Sequence, residues 1–344
     1  MPAISPARPA DPPAAPKPGE GYPHGYRGAR VLLTGATGFL GRWVWRALAD
    51  AGAEVHAAGR SREALDAAQR DGLPGQAVVA DLARPGALRE VHARVRPAIT
   101  FNLAAYGVDP AERNAVLSLR INADLAAECA AAAAERDDAP AWDGQRLVHV
   151  GSGFEYGTVR GMVDEATLPA PGTPYGMSKL QGTRLVTGAR SRLRLRATTV
   201  RLFTVYGEGE HPRRLLPSLL AAAGTGETVE MTPGGQLRDF TWAGDCAEGL
   251  LRTGLLRQAP PVLNLATGVC TTVRRFAEAA MAAAAIQADA VQFGALPYRA
   301  DEERQGPVSV ALARRTLGWV PTTSVEEGIR LTLDAVHGHA GAAA

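Results

Sequence analysis

Short apolar runs alternate with longer helix-like segments along most of this chain. The apolar runs predict strands at Arg30–Thr34, Glu54–Ala58, Gln76–Ala80, Ala98–Leu103, Arg146–Gly151 and Thr198–Phe203. The Ala- and Leu-rich segments between them predict helices at Arg42–Ala51, Pro85–Arg94, Arg113–Arg136 and Tyr175–Arg190. Strands that alternate with helices are typical of βαβ units. The pattern therefore predicts an α/β fold with a doubly wound parallel sheet and helices on both faces.

This alternation loosens after Tyr206, where Pro and Gly separate shorter segments. Strands are predicted there at Val229–Met231, Val262–Ala266 and Val291–Phe293, and helices at Thr272–Ala285 and Ser324–Ala335. We interpret this part as a smaller C-terminal α/β lobe that binds substrate. The expected division is a Pro/Ala-rich flexible tail at 1–28, a sheet domain at 29–205, the lobe at 206–337 and a tail at 338–344.

The composition and charge of the chain disfavour several classes of function. The chain has 344 residues, and 37 Lys and Arg against 35 Asp and Glu give a net charge of +2. This near balance leaves no electrostatic footprint for nucleic acid, and no apolar run reaches membrane-spanning length. The three cysteines lack metal-ligand spacing, and their odd number disfavours a disulfide framework. We expect a cytoplasmic protein without a metal site.

Three glycines follow the first predicted strand, where Gly35, Gly38 and Gly41 are spaced three apart before a helix. The N–H groups of a helix N-terminus attract phosphate. Gly35 permits a tight turn, Gly38 a close approach to a pyrophosphate, and Gly41 close packing of helix on strand. The pattern favours a Rossmann-type dinucleotide site, although such turns also serve ordinary packing between strand and helix.

A second motif is Tyr175-Gly-Met-Ser-Lys179. Thr173 suits an N-cap and Pro174 the first helical position, so a helix is expected to start here. Tyr175 and Lys179 then share one helical face. An ammonium beside a tyrosine favours the phenolate and so catalytic use, although a solvated lysine beside a half-buried tyrosine would give the same pattern.

Ser152 follows the strand predicted at Arg146–Gly151. It is therefore expected at the carboxyl edge of the sheet, where ligands bind in such folds. A hydroxyl there can donate a hydrogen bond to a substrate oxygen. The alternative is a capping or turn role.

From about 29 to 335, the chain resembles the extended short-chain dehydrogenase/reductases, which are NAD(P)-dependent sugar-nucleotide epimerases, dehydratases and reductases. The resemblance rests on Thr34–Gly41, Asp81-Leu82, Asn102–Ala105, Ser152, Tyr175-x-x-x-Lys179, Arg201–Gly207, Arg238–Phe240 and Leu317–Pro321.

The resemblance implies a role for each matching residue. Tyr175 would be the acid/base and Ser152 would bind the reacting oxygen, while Lys179 would hold the nicotinamide ribose and lower the tyrosine pKa. The other cofactor-binding positions would be Gly35, Thr37, Gly38, Phe39, Leu40, Gly41, Asp81, Leu82, Ala104 and Ala105. The helices at Arg113–Arg136 and Tyr175–Arg190 resemble those of a homodimer seam.

The cofactor preference is read from the end of the second strand, where Gly59-Arg60 stands in place of a carboxylate. A carboxylate there would bind the ribose hydroxyls of NAD, whereas Arg60 offers a planar fork for a 2′-phosphate. We therefore favour NADP(H) over NAD(H). The alternative is that Arg60 and Arg62 are simply solvated.

The reaction is inferred from the two positions after Ser152. Dehydratases of this family carry an Asp-Glu pair there, but this chain has Gly153 and Phe154, and Glu155 comes one place too late. The stretch from 151 to 157 resembles NDP-4-keto-6-deoxyhexose reductases. We expect NADPH-dependent reduction of the 4-keto group of a nucleotide-activated 6-deoxyhexose. An NAD-dependent 4-epimerase is the alternative. A non-catalytic NADP-binding regulator is disfavoured, because it would not need Ser152, Tyr175 and Lys179 together.

Two arginines resemble the diphosphate-facing arginines of the family, Arg238 and Arg299. Arg238 could instead pair with Asp239 or Asp245, and Arg299 could belong to a charged surface turn. Thr204 stands where many relatives carry a substrate-contacting asparagine.

Overall fold

The computed structural model describes residues 24–108, 112, 114–135, 142–225, 228–298 and 305–342. Its strands are β1 Arg30–Thr34, β2 Glu54–Gly59, β3 Gln76–Val79, β4 Ile99–Asn102, β5 Leu147–Ser152, β6 Ala197–Leu202, β7 Thr204–Tyr206, β8 Val229–Met231, β9 Leu237–Trp242, β10 Val262–Leu265, β11 Cys270–Thr272 and β12 Val291–Phe293. Its helices are α1 Phe39–Asp50, α2 Arg62–Arg70, α3 Ala87–Val95, α4 Ala115–Leu119, α5 Leu125–Ala134, α6 Pro174–Leu193, α7 Leu215–Thr225, α8 Ala243–Leu255, α9 Val273–Ala283, α10 Ala311–Leu317 and α11 Val325–Ala342. A π-helical turn, Arg120–Asp124, joins α4 to α5.

One sheet of seven strands dominates the described part of the chain, with the order β10-β6-β5-β4-β1-β2-β3. Every neighbouring pair in it is parallel. The registers are continuous, with Val31 of β1 lying between Val55 of β2 and Ile99 of β4. The predicted doubly wound α/β fold of Rossmann type is confirmed.

Helices cover both faces of this sheet because its strands are apolar on both sides. Side chains of α1, α2 and α8 pack on one face, with Trp45, Leu65 and Leu250 fully buried. Those of α3, α5 and α6 pack on the other, including Leu88 and Cys129.

The smaller lobe has its own core. The strands β11-β9-β7 form one short sheet and β12-β8 another. Phe240 of β9 stacks on Phe276 of α9 with ring centroids 4.1 Å apart, and Tyr206 meets both rings edge-on. A connected aromatic cluster of this kind stabilises a small core.

The expected domain boundaries need three corrections. Val262–Leu265 was assigned to the lobe, but it is the edge strand β10 of the large sheet. Tyr26 was assigned to a flexible tail, yet it is fully buried and donates a hydrogen bond of 2.7 Å to the Leu251 carbonyl. Helix α11 continues to Ala342, within the segment expected to be a tail. The first two errors concern pairing with a distant part of the chain, which local composition does not reveal.

Candidate active site

The residues singled out in the sequence gather at the carboxyl edge of the large sheet. Parallel strands bring all of their carboxyl ends to the same edge. Ser152 is the last residue of β5, Gly35 follows β1 and Arg60 follows β2. Thr204 begins β7 two residues after β6 ends and is half-buried. Arg299 lies outside the described residues.

The glycine turn is a close-fitting backbone cradle. Gly35 has φ +67°, and a Cβ there would lie 2.7 Å from the Ala104 nitrogen. A Cβ on Gly41 would lie 2.0 Å from the Gly35 carbonyl oxygen. Gly38 is the N-cap of α1 and offers no side-chain acceptor, so the first N–H groups of the helix, beginning at Phe39 and Leu40, are left for an anion. These residues fit the pyrophosphate of a dinucleotide.

The end of β2 lies directly beside this turn. A Cβ on Gly59 would be 3.5 Å from the Thr37 methyl group. The next side chain, Arg60, is exposed, and among the described residues it makes no ion pair. A guanidinium is therefore available close to the glycine turn.

The loop after β3 is held by a residue that the sequence did not single out. Arg120, in the π-helical turn, donates to the carbonyl oxygens of Leu82 (3.2 Å), Ala83 (2.9 Å) and Arg84 (3.1 Å). Leu82 is buried, and the exposed Asp81 carboxylate accepts a hydrogen bond from the Ala83 N–H at 3.0 Å. Arg120 thus fixes the segment expected to face adenine. No local signal marks it, because its partners lie 36 to 38 positions away.

A second unforeseen residue fixes the loop after β4, where Ala104 is half-buried and Ala105 exposed. The fully buried Asn122 side chain donates to the Tyr106 carbonyl at 2.7 Å and accepts from its N–H at 3.0 Å. It also donates to Ser178 Oγ of α6 at 2.9 Å. Asn122 therefore couples this loop to the helix that carries Tyr175.

Helix α6 begins where its capping residues predicted. The Thr173 hydroxyl accepts the Gly176 N–H at 3.1 Å, and Pro174 is the first helical residue. Because the cap fixes the first turn, Tyr175 and Lys179 lie on one face beside the end of β5. Lys179 is 1% exposed and donates to the Val150 carbonyl of that strand.

The Tyr175 and Ser152 hydroxyls are hydrogen-bonded to one another. Burial raises the pKa of Tyr175 above its ordinary value, although the bond to Ser152 acts in the opposite direction. The expectation of a lowered tyrosine pKa is therefore wrong for this structure, since desolvation of the phenolate outweighs the favourable contacts. Burial also lowers the pKa of Lys179 to about 8.

Glu155 is fully buried immediately below Ser152. Its Oε1 accepts from the Ser152 N–H at 2.9 Å and from the Thr183 hydroxyl at 3.0 Å. Its Oε2 pairs with Arg201 Nε at 2.8 Å. Ser152 Oγ also accepts the Phe154 N–H at 3.2 Å, so the capping role weighed for this serine is real and coexists with its bond to Tyr175.

Phe154 forms an apolar wall beside the reactive hydroxyls. Its ring meets the Tyr175 ring edge-on, with centroids 5.9 Å apart, and it is 41% exposed. The exposed part of the ring is free to contact a ligand next to Tyr175.

On the lobe side, Asp239 and Asp245 accept hydrogen bonds from other groups. Asp239 accepts the N–H groups of Thr267 (2.9 Å) and Gly268 (2.8 Å), and Asp245 accepts those of Thr322 and Thr323. Arg238 is half-buried and donates to its neighbouring Leu237 carbonyl at 2.8 Å.

The described residues contain no group of three or more His, Cys, Asp or Glu side chains that could hold a metal ion. The same ranges contain no helix long and apolar enough to cross a bilayer.

A doubly wound sheet with a glycine cradle and a Ser–Tyr–Lys cluster at its carboxyl edge defines a dinucleotide-dependent oxidoreductase class. The model of the NAD dependent epimerase/dehydratase family matches residues 31–266. The chain belongs to this family and is an NAD(P)-dependent enzyme of sugar-nucleotide modification.

Individual relatives are similar over nearly the whole chain. The dTDP-6-deoxy-L-talose 4-dehydrogenase (NAD(P)(+)) of Kitasatospora kifunensis is 32% identical over 317 residues, covering 88% of this chain and 94% of that protein. The UDP-glucose 4-epimerase of Mycolicibacterium smegmatis is 27% identical over 321 residues, covering 89% and 97%. The structure of MoeE5 in complex with UDP-glucuronic acid and NAD has a TM-score of 0.76 and 28% identity, covering 90% and 99%.

Proposed function

We propose that this enzyme reduces the 4-keto group of a nucleotide-activated 6-deoxyhexose with NADPH, as a step of deoxysugar biosynthesis. The observation that carries the proposal is the Ser152–Tyr175 pair, with the Phe154 ring rather than a carboxylate side chain packed against Tyr175 at that position. A relative that is a dTDP-6-deoxy-L-talose 4-dehydrogenase supports the same kind of chemistry at the same sugar carbon.

The residues perform the reduction by binding the ketone and delivering a proton. When bound, the nicotinamide supplies the hydride. The Ser152 and Tyr175 hydroxyls both donate hydrogen bonds to the C4 oxygen, which stabilises the negative charge that develops there. Tyr175 then gives up its proton to that oxygen. The phenol is protonated at neutral pH and so has the proton to give, although its raised pKa makes it a weaker acid.

Dehydration across C5–C6 needs an acid and a base beside the tyrosine, which Gly153 and Phe154 cannot provide. Glu155 is fully buried and ion-paired with Arg201, so it is not available for that role either. An apolar ring next to Tyr175 instead suits a methyl group at C6, because burying apolar surface favours the 6-deoxy sugar.

The cofactor is assigned as NADP(H) on the basis of Arg60. Its exposed guanidinium beside the glycine turn suits a 2′-phosphate, which carries two negative charges at the ribose end of the cofactor. The diphosphate of the sugar nucleotide is assigned to Arg238 and Arg299, with Thr204 near the sugar.

An NAD-dependent 4-epimerase is the second candidate. It is favoured by the similarity to the UDP-glucose 4-epimerase of Mycolicibacterium smegmatis over 89% of this chain. NAD would then take a hydride from C4 and later return it, while Ser152 binds the C4 oxygen and Tyr175 first accepts and later returns the hydroxyl proton.

We further propose a homodimer and a cytoplasmic location. Val116 and Leu119 of α4 and Met177 of α6 are 79%, 49% and 52% exposed, and an exposed apolar face on these two helices suits a second copy of the chain. Cys129, Cys246 and Cys270 are all unpaired, which suits a reducing compartment.

The decisive experiment supplies an NDP-4-keto-6-deoxyhexose with NADPH or NADH and follows nicotinamide absorbance. We expect NADPH consumption, and in the Arg60→Ala variant roughly a tenfold loss of kcat/KM with NADPH and little change with NADH. Arg62→Ala is the matched control. Redox-neutral conversion of a UDP-hexose, without nicotinamide consumption, would establish the epimerase instead.

A further inference from the structure

A buried ion pair between Glu155 and Arg201 lies beneath the carboxyl edge of the sheet, next to Ser152. Glu155 is 0% and Arg201 3% exposed, and two charges in the interior carry a large desolvation penalty. Apolar residues of similar size would fill this space at no such cost. The position of the carboxylate therefore calls for a functional explanation.

We propose that Glu155 is the positioning residue of the active site: its carboxylate fixes the backbone of Ser152 and keeps the buried Lys179 in its charged form. This inference rests on the proposed role of Ser152, Tyr175 and Lys179, but not on the identity of the sugar.

The hydrogen bonds support the first part. One oxygen of Glu155 accepts both the Ser152 N–H and the Thr183 hydroxyl, at 2.9 and 3.0 Å. Thr183 lies one helical turn after Lys179, so the carboxylate ties the end of β5 to the lysine-bearing face of α6. A Cβ at 151 would lie 2.5 Å from the same oxygen, so Gly151 makes room for it.

The charges support the second part. Lys179 is 1% exposed and bonded to a carbonyl, and it has no salt bridge among the described residues. Burial lowers its pKa to about 8, and the Glu155 charge acts against this decrease. The other titratable neighbour, His149, stays neutral because burial and the Lys179 charge hold its pKa well below the usual value.

Tyr175 is affected in the same direction. Glu155 and Glu112 raise its pKa, whereas the bond to Ser152 and the Arg214 charge lower it. Removing the Glu155 charge should therefore let both Tyr175 and Lys179 lose their protons at lower pH. The alkaline limb of the pH profile, where these protons are lost, is therefore expected to move to lower pH.

The test measures NADPH affinity by nicotinamide fluorescence from about pH 6 to 10, together with the pH profile of kcat/KM and thermal unfolding. The variant Glu155→Gln/Arg201→Gln removes both charges and leaves no unpaired ion. Losing the Arg201 charge partly offsets losing the Glu155 charge, but Glu155 is the charge that acts on Lys179, so we expect the alkaline limb, in affinity and in kcat/KM, to move down by roughly half to one pH unit. Thr183→Val is the matched control, because it removes a bond to the same oxygen but no charge. It should unfold at lower temperature with the alkaline limb unmoved.

If the alkaline limb of the pH profile lies at the same pH in the double variant and in the wild type, the proposal is overturned. Glu155 is then a structural residue. If the double variant does not fold, Glu155→Asp replaces it. Its shorter carboxylate lies farther from Lys179, so a smaller shift in the same direction is expected, and no shift again overturns the proposal. A wild-type protein that binds NADPH with the expected pH dependence but does not reduce the keto sugar would refute the proposed function alone.

Discussion

We propose that the carboxyl edge of the large sheet and the smaller lobe hold two parts of one site, yet the chain builds them differently. At the sheet edge, the reactive groups lie at or next to the ends of regular elements, as Ser152 does at the end of β5 and Tyr175 in the first turn of α6. In the lobe, Arg238 lies on a three-stranded sheet whose members are 204–206, 237–242 and 270–272.

From this difference we infer that the sheet edge carries out the chemistry and the lobe recognises the substrate. The sheet edge is fixed by backbone geometry and buried hydrogen bonds, which suits groups that must meet a reacting atom within a fraction of an ångström. The three-stranded sheet of the lobe is built from short strands joined by long connections. Connections of this kind vary in shape, which suits recognition of different nucleotide sugars.

The largest effect is expected at the sheet edge. Tyr175→Phe removes the proton donor while keeping the ring that packs on Phe154. We expect kcat to fall by about 100- to 10,000-fold, because general acid catalysis contributes that much. NADPH affinity, measured by fluorescence titration, should change little. Full activity in this variant would refute the mechanism.

The second effect tests the cradle. Gly41→Ala places a methyl group 2.0 Å from the Gly35 carbonyl oxygen, so the turn must shift. We expect a loss of about 1–3 kcal/mol in the free energy of unfolding and weaker NADPH binding. The control is Gly188→Ala in α6, where nothing lies within 4 Å of the new methyl group. It should stabilise the helix by roughly 0.5–1 kcal/mol. Equal changes in unfolding free energy and in NADPH binding in the two variants would contradict the close fit of the glycine turn.

The sequence predicted the sheet edge well because its signals are local. Alternating apolar runs place β1 to β6 within one or two residues of their observed bounds, and Thr173-Pro174 marks the start of α6. The residues of the glycine turn and the Tyr–Lys pair are likewise adjacent or one helical turn apart. Their geometry follows from the element in which they occur.

What the sequence did not predict involves long-range contacts. Strand β10 joins the large sheet through β6, more than 60 positions earlier, and Tyr26 meets Leu251 across 225 positions. Arg120 and Asn122 act through backbone groups of neighbouring loops. Burial likewise decided the pKa of Tyr175, and the extent of burial is a property of the packed structure alone.

The third effect, which leaves kcat nearly unchanged, is expected in the lobe. Arg238→Gln removes a guanidinium assigned to the diphosphate, and the loss of a charge-assisted hydrogen bond of about 1.5–3 kcal/mol should raise KM for the nucleotide sugar roughly tenfold or more. Because Arg238 is assigned away from the reacting carbon, kcat should stay within about twofold. Steady-state kinetics with varied nucleotide sugar checks both values. A fall in kcat with an unchanged KM would mean that Arg238 belongs with the catalytic edge, and the proposed separation of chemistry from recognition would then be wrong.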